Sequence, residues 1–138
     1  MVRVVLSSIA GFVAWLLLWF AGEAFFSSIG PDWYGVHQQA FESALIEGGE
    51  FSANTTLLLI QIVLASAASM ISGWLAAMLS RENKRAPLLL GVLLLVLGLM
   101  KVVMSWSYVP IWHHVVFLAL LIPLTLKGGQ IKSFQAID

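Results

Sequence analysis

Four apolar stretches, roughly residues 4–28, 55–80, 86–106 and 111–126, occupy most of this 138-residue chain. Each is near the length of about 20 mainly apolar residues that a membrane-spanning helix needs. Connections between them are short, except for 30–53. In lipid, backbone groups must be satisfied within the segment, so such stretches can only be helices. The sequence therefore predicts an all-α membrane four-helix bundle, with spans at about 3–28, 54–80, 86–106 and 110–127. One transmembrane domain fills 1–129, and 130–138 is a short polar tail.

The basic residues give the bundle a direction. Arg3 precedes the first stretch. Arg81, Lys84 and Arg85 separate the second from the third, and Lys127 and Lys132 follow the fourth. Cytoplasmic segments carry an excess of Lys and Arg. Both termini and the 81–85 loop are thus expected to be cytoplasmic (N-in/C-in). Asp32, Glu42, Glu47 and Glu50 then fall on the outer side. Arg3 and the small residues Ala21, Gly22 and Ala24 give the first stretch some likeness to a secretory signal. Its apolar run exceeds the usual 7–15-residue signal core, so it is read as a retained helix.

Only 10% of the chain is charged, against about 25% in a typical soluble domain. The net charge is zero, which implies no general attraction to nucleic acid. Without cysteine, the chain has no disulfide, thiolate metal site or thiol redox centre.

In the long connection, Gly30-Pro31 ends the first helix. Val36, His37, Ala40, Phe41, Ala44 and Leu45 then recur at helical spacing, with Gln38, Gln39, Glu42 and Glu47 opposite. This pattern predicts a short amphipathic interfacial helix, capped by Asp32 and stopped by Gly48-Gly49. Trp33, Tyr34, Trp106, Tyr108 and Trp112 suit the lipid–water boundary as anchors. Asn54 opens the second span either as a helix cap or as the acceptor of the Asn54-Thr55-Thr56 sequon, with Ser52 as an alternative start. The brevity of 81–85 predicts an antiparallel hairpin. Pro87 fits a first turn, Pro110 starts the last span after a tight turn at 107–110, and Pro123 is a candidate kink.

Small residues recur every four positions in the second span, at Ala65, Ser69, Gly73 and Ala77, and Gly91 and Gly98 lie in the third. Such spacing lets backbones approach closely. The plain reading is packing within the bundle; the sharper one is a homo-oligomer or docking to a larger membrane complex.

Polar groups inside the apolar stretches are the candidates for chemistry. Glu23, Gln61 and Lys101 all lie toward the outer leaflet. At about 1.5 Å per residue, Lys101 is roughly 8 Å and Glu23 roughly 12 Å outward of the midplane, a gap a lysine side chain can cover. The two are thus an ion-pair candidate, and with Gln61 they outline an outward-facing cup. Ionisable residues in spans often mark function, although a lysine near a helix end also snorkels to the interface. His113 and His114 are weak candidates for metal or haem, because adjacent helical residues point about 100° apart. No catalytic set is visible: Ser66, Ser69 and Ser72 have no evident base. The expected function is non-enzymatic and free of cofactor, an accessory or scaffold subunit acting through helix association. The alternative is a small transporter or ligand-binding protein using the cup.

The run Gly11-Phe12-Val13-Ala14-Trp15 within Val5–Trp19, and Pro110-Ile111-Trp112-His113-His114 with Phe117-Leu118, Ile122-Pro123 and Gly128-Gly129, resemble a scattered set of small four-span bacterial membrane proteins with no assigned activity. The resemblance implies a bacterial inner-membrane location and no particular chemistry. Glu23 is also similar in position to the first-helix glutamate of the small multidrug-resistance transporters. It lies nearer the membrane surface than theirs, and Lys101 has no counterpart there, so the likeness is one of size.

Overall fold

A computed structural model of the chain describes residues 2–48, 54–106 and 108–131. Gly49, Glu50, Ser52, Ser107, Lys132 and the rest of the tail, named above, lie outside the described residues. Those described are helical, with no strand among them. They form α1 (Val2–Ile29), a π-helical turn (Pro31–Gly35), α2 (Val36–Glu47), α3 (Thr55–Ser80), α4 (Arg85–Ser105) and α5 (Ile111–Gly129).

Local chemistry accounts for the boundaries. The Gly30 carbonyl accepts from the N–H groups of both Tyr34 (2.8 Å) and Gly35 (3.1 Å), which winds the π-helical turn behind Pro31. Asp32 does not cap α2, because this turn runs directly into it. Gly48 ends α2 with a φ of 78°, a conformation that suits glycine. The Asn54 side chain accepts from the Thr56 N–H at 2.9 Å and caps α3. Pro110 takes the N-cap position of α5, and the helix runs through Pro123 unbroken to Gly129.

Four of these helices are long and apolar enough to cross a membrane: α1, α3, α4 and α5. Their packing is that of a membrane bundle. Small side chains such as Ala65, Ala68, Ala76 and Ala86 fill the interior with Trp15, Leu90, Leu94, Phe117 and Leu121. Bulky apolar side chains point outward: Leu17, Val63 and Val103 are each about two-thirds or more exposed. Water would penalise such a surface, whereas lipid matches it.

Around the bundle the order is α1, α3, α5, α4. The hairpin partners α3 and α4 therefore touch across the shorter diagonal, and α3 packs chiefly on α5 and α1. Close approach depends on glycine here. A side chain at Gly73 would run into the Thr125 backbone, and one at Gly128 into the Met70 backbone. Between α1 and its neighbours, the Trp15 indole donates to the Ser69 hydroxyl at 3.1 Å, and the Ser8 hydroxyl donates to the Ala86 carbonyl at 3.1 Å.

The two ends differ. At one, Arg3 donates from Nε to the Leu79 carbonyl (2.9 Å) and Asn83 donates to the Gly129 carbonyl (2.7 Å). Arg3, Arg81, Lys84, Arg85 and Lys127 all lie at this basic end. At the other, the π-helical turn and α2 cover the bundle.

The covering helix is rotated relative to its hydropathy pattern. Gln38, expected on the polar side, is buried, while Val36 (56% exposed) and Ala40 face outward. The cause is a polar bundle mouth: Gln38 is drawn in by carboxylate and carboxamide partners. Tyr34 also departs from expectation. It is fully buried on the inner side of the cover and tilted against Phe26, rather than exposed like Trp33. Trp33, Trp106 and Trp112 remain exposed, and Tyr108 is half-buried.

Candidate functional site

The covered end holds two groups of polar side chains. The first is a chain of hydrogen bonds linking α2 to α1 and α3. Gln38 donates from Nε2 to Glu23 Oε1 (2.9 Å), and its Oε1 accepts from Gln61 Nε2 (2.9 Å). The Tyr34 hydroxyl approaches the same Glu23 oxygen at 3.5 Å. His37 extends the chain outward. Its Nδ1 lies 3.1 Å from Gln38 Oε1, and its Nε2 accepts from the Asn54 N–H at 3.1 Å. A proton on Nδ1 satisfies both bonds. The cover is thereby fastened to the outer end of α1 and to the capped start of α3. Burial, and then the neighbouring charge of Glu23, hold the Tyr34 phenol above its ordinary value near 10.

The second group surrounds Lys101 on α4. Its Nζ is buried and has no hydrogen-bond partner among the described residues. It lies 4.3 Å from the centroid of Phe117 and 5.1 Å from that of Trp19. Trp19 in turn stacks on Trp15, with centroids 5.5 Å apart and planes 3° from parallel. Aromatic faces attract a cation. Beside the amine is a cavity of about 190 Å³, lined by α1, α4 and Phe117. Apart from the amine its walls are almost wholly apolar, and Phe20, 64% exposed, stands at its open side.

The sequence-derived cup is thus only partly assembled. Glu23 and Gln61 share Gln38 as a bridge rather than touching each other. The amine of Lys101 forms no hydrogen bond with Glu23, whose Oε1 is engaged by the cover. The two expected partners interact by charge without a hydrogen bond: the carboxylate is fastened to α2 and the amine lies against aromatic rings.

His113 and His114 are buried near this site. His113 stacks on Phe117 (6.1 Å, 18°) and His114 on Trp106 (5.4 Å, 3°). Both Nε2 atoms are without a partner among the described residues. Ala65, Ser69, Gly73, Ala77, Gly91 and Gly98 are all buried within the bundle. Ser69 bonds Trp15, Gly73 abuts Thr125, Gly91 abuts Ile122, and Gly98 abuts Leu118 and Leu121.

Gln38, Trp15, Trp19 and Phe117 were not singled out as site residues from the sequence. The Trp15–Trp19 spacing was a usable signal, because four-residue spacing on one helix places both rings on one face. For Gln38 no signal existed, since hydropathy assigns a glutamine to the wet side.

Comparison with protein families, with curated proteins and with solved structures gives no match. The class that the fold defines is a multi-pass, four-helix membrane protein.

Proposed function

We propose that this chain is a non-enzymatic, ligand-binding protein of the bacterial inner membrane, with both termini cytoplasmic. Its outer half holds a small molecule against Lys101. One observation carries the reading: the Lys101 amine, without a hydrogen-bond acceptor among the described residues, lies beside a cavity of about 190 Å³. A buried amine without an acceptor for its N–H groups is costly, and intramembrane ionisable groups are by default functional. The gathering of Arg3, Arg81, Lys84, Arg85 and Lys127 at one end supports the orientation. The bilayer is the partner that the outward-facing leucines and valines fit.

An accessory role built on small-residue faces has less support. Ala65, Ser69, Gly73 and Ala77 are occupied inside the bundle, so association would have to use other surfaces. Native mass spectrometry of the protein released from mild detergent separates the two readings. The expected spectrum has a bound small mass on the wild type that is absent from Lys101→Met. Bare protein in both, or the same adduct on both, contradicts the ligand site. A co-purifying subunit without a bound small molecule returns the accessory reading.

A further inference from the structure

The cavity and the amine place different demands on an occupant. An apolar cavity of about 150 Å³ stays dry and takes up hydrocarbon. The cavity here, about 190 Å³ and walled by Trp15, Leu16, Leu94 and Leu97, suits methylene groups rather than water. At its polar end, Lys101 offers three N–H donors and a formal charge. Trp19 and Phe117 stabilise that charge through their faces but accept no hydrogen bond of ordinary strength. Glu23 is the carboxylate of this region; its charge acts on the amine, but it forms no hydrogen bond with it, and the covering segment engages its Oε1. What the amine lacks is a hydrogen-bond acceptor, and an anion attached to a hydrocarbon chain supplies one while its chain fills the cavity. Phe20, exposed at the open side, marks where the rest of a chain would pass between α1 and α4 into lipid.

We infer that the space between α1 and α4 is a laterally open site for a single-chain anionic amphiphile, with its anion on Lys101 and its first methylenes against Trp15, Leu94 and Leu97. The inference rests on the ligand-site reading above and narrows it to one ligand chemistry. The anion is either a fatty carboxylate or a phosphate on an acyl or alkyl chain.

The full chain in a non-ionic detergent is titrated with 11-bromoundecanoate, whose bromine quenches nearby tryptophans. Dodecanoate, dodecyl phosphate and dodecanol are then used as competitors. Saturable quenching is expected, reversed by dodecanoate or dodecyl phosphate; the stronger of the two names the source of the anion. Dodecanol should compete at least about tenfold more weakly, as should the probe itself on Lys101→Met, because a charge-assisted bond is lost. Leu97→Phe, which fills the chain side and leaves the amine in place, should also weaken the probe; this keeps the test decisive if Lys101→Met does not fold. Equal competition by dodecanol, with unchanged quenching in Lys101→Met, overturns the anion and leaves a ligand site of another chemistry. Unsaturable quenching together with bare protein in the native spectrum removes both the inference and the ligand site.

Discussion

Glu23 and Lys101 lie on neighbouring helices, yet different partners hold them. Gln38 and Tyr34 reach Glu23 from the covering segment, while the Lys101 amine lies over the rings of Trp19 and Phe117 and feels the Glu23 charge without a hydrogen bond to it. The cover engages one oxygen of the carboxylate, and the amine keeps N–H groups without an acceptor among the described residues. Tyr34 reports on how firmly the cover sits. Its phenol is held above its ordinary value by burial first and by Glu23 second. Below about pH 10 the phenol is protonated in both folded and unfolded chains, so the bonds at this site keep their full contribution. Above that pH the unfolded phenol ionises while the folded one resists, so stability falls as pH rises toward the folded value. Thermal unfolding in detergent at roughly pH 9 to 11 should show this fall in the wild type and a shallower one in Tyr34→Phe. Identical slopes would mean that Tyr34 is not held as described.

Among the elements, the spans were the most legible. Apolar length is a requirement of the hydrocarbon core, so it is written in the sequence without regard to packing. The α3 stripe of Ala65, Ser69, Gly73 and Ala77 was legible as a packing face for a similar reason. Its partners were not, since the contacts of Gly73 with Thr125 and of Ser69 with Trp15 join residues far apart in the chain. The orientation of α2 was misread because hydropathy assumes that a glutamine seeks water. Here Glu23 and Gln61 at the bundle mouth outcompete water for Gln38. At this scale the account predicts unequal glycine costs. Gly73→Ala sets a methyl against the rigid Thr125 backbone and should destabilise by about 1–3 kcal/mol. Gly98→Ala meets side chains alone, the ends of Leu118 and Leu121 and the Phe117 ring, and should cost clearly less. Thermal midpoints of the two variants in the same detergent provide the comparison, and equal losses would contradict the packing described.

At the scale of the whole molecule, the chain has a basic end and a covered end. Apart from Lys101, the described basic residues sit at the ends of α1, α4 and α5 and in the 81–84 connection. The covered end carries α2, the Glu23 network and the Lys101 cavity. In a bilayer this polarity decides from which side a ligand arrives: an occupant of the cavity comes from the outer leaflet only if the basic end is cytoplasmic. The native chain lacks cysteine, so single cysteines report position without background. Lys84→Cys and Glu47→Cys place them at the two ends on exposed residues. With an impermeant maleimide added to intact spheroplasts, the account predicts labelling of Glu47→Cys, and labelling of Lys84→Cys only after the membrane is breached. Labelling of Lys84→Cys in intact spheroplasts, with Glu47→Cys protected, would place the cavity on the opposite face and contradict the account.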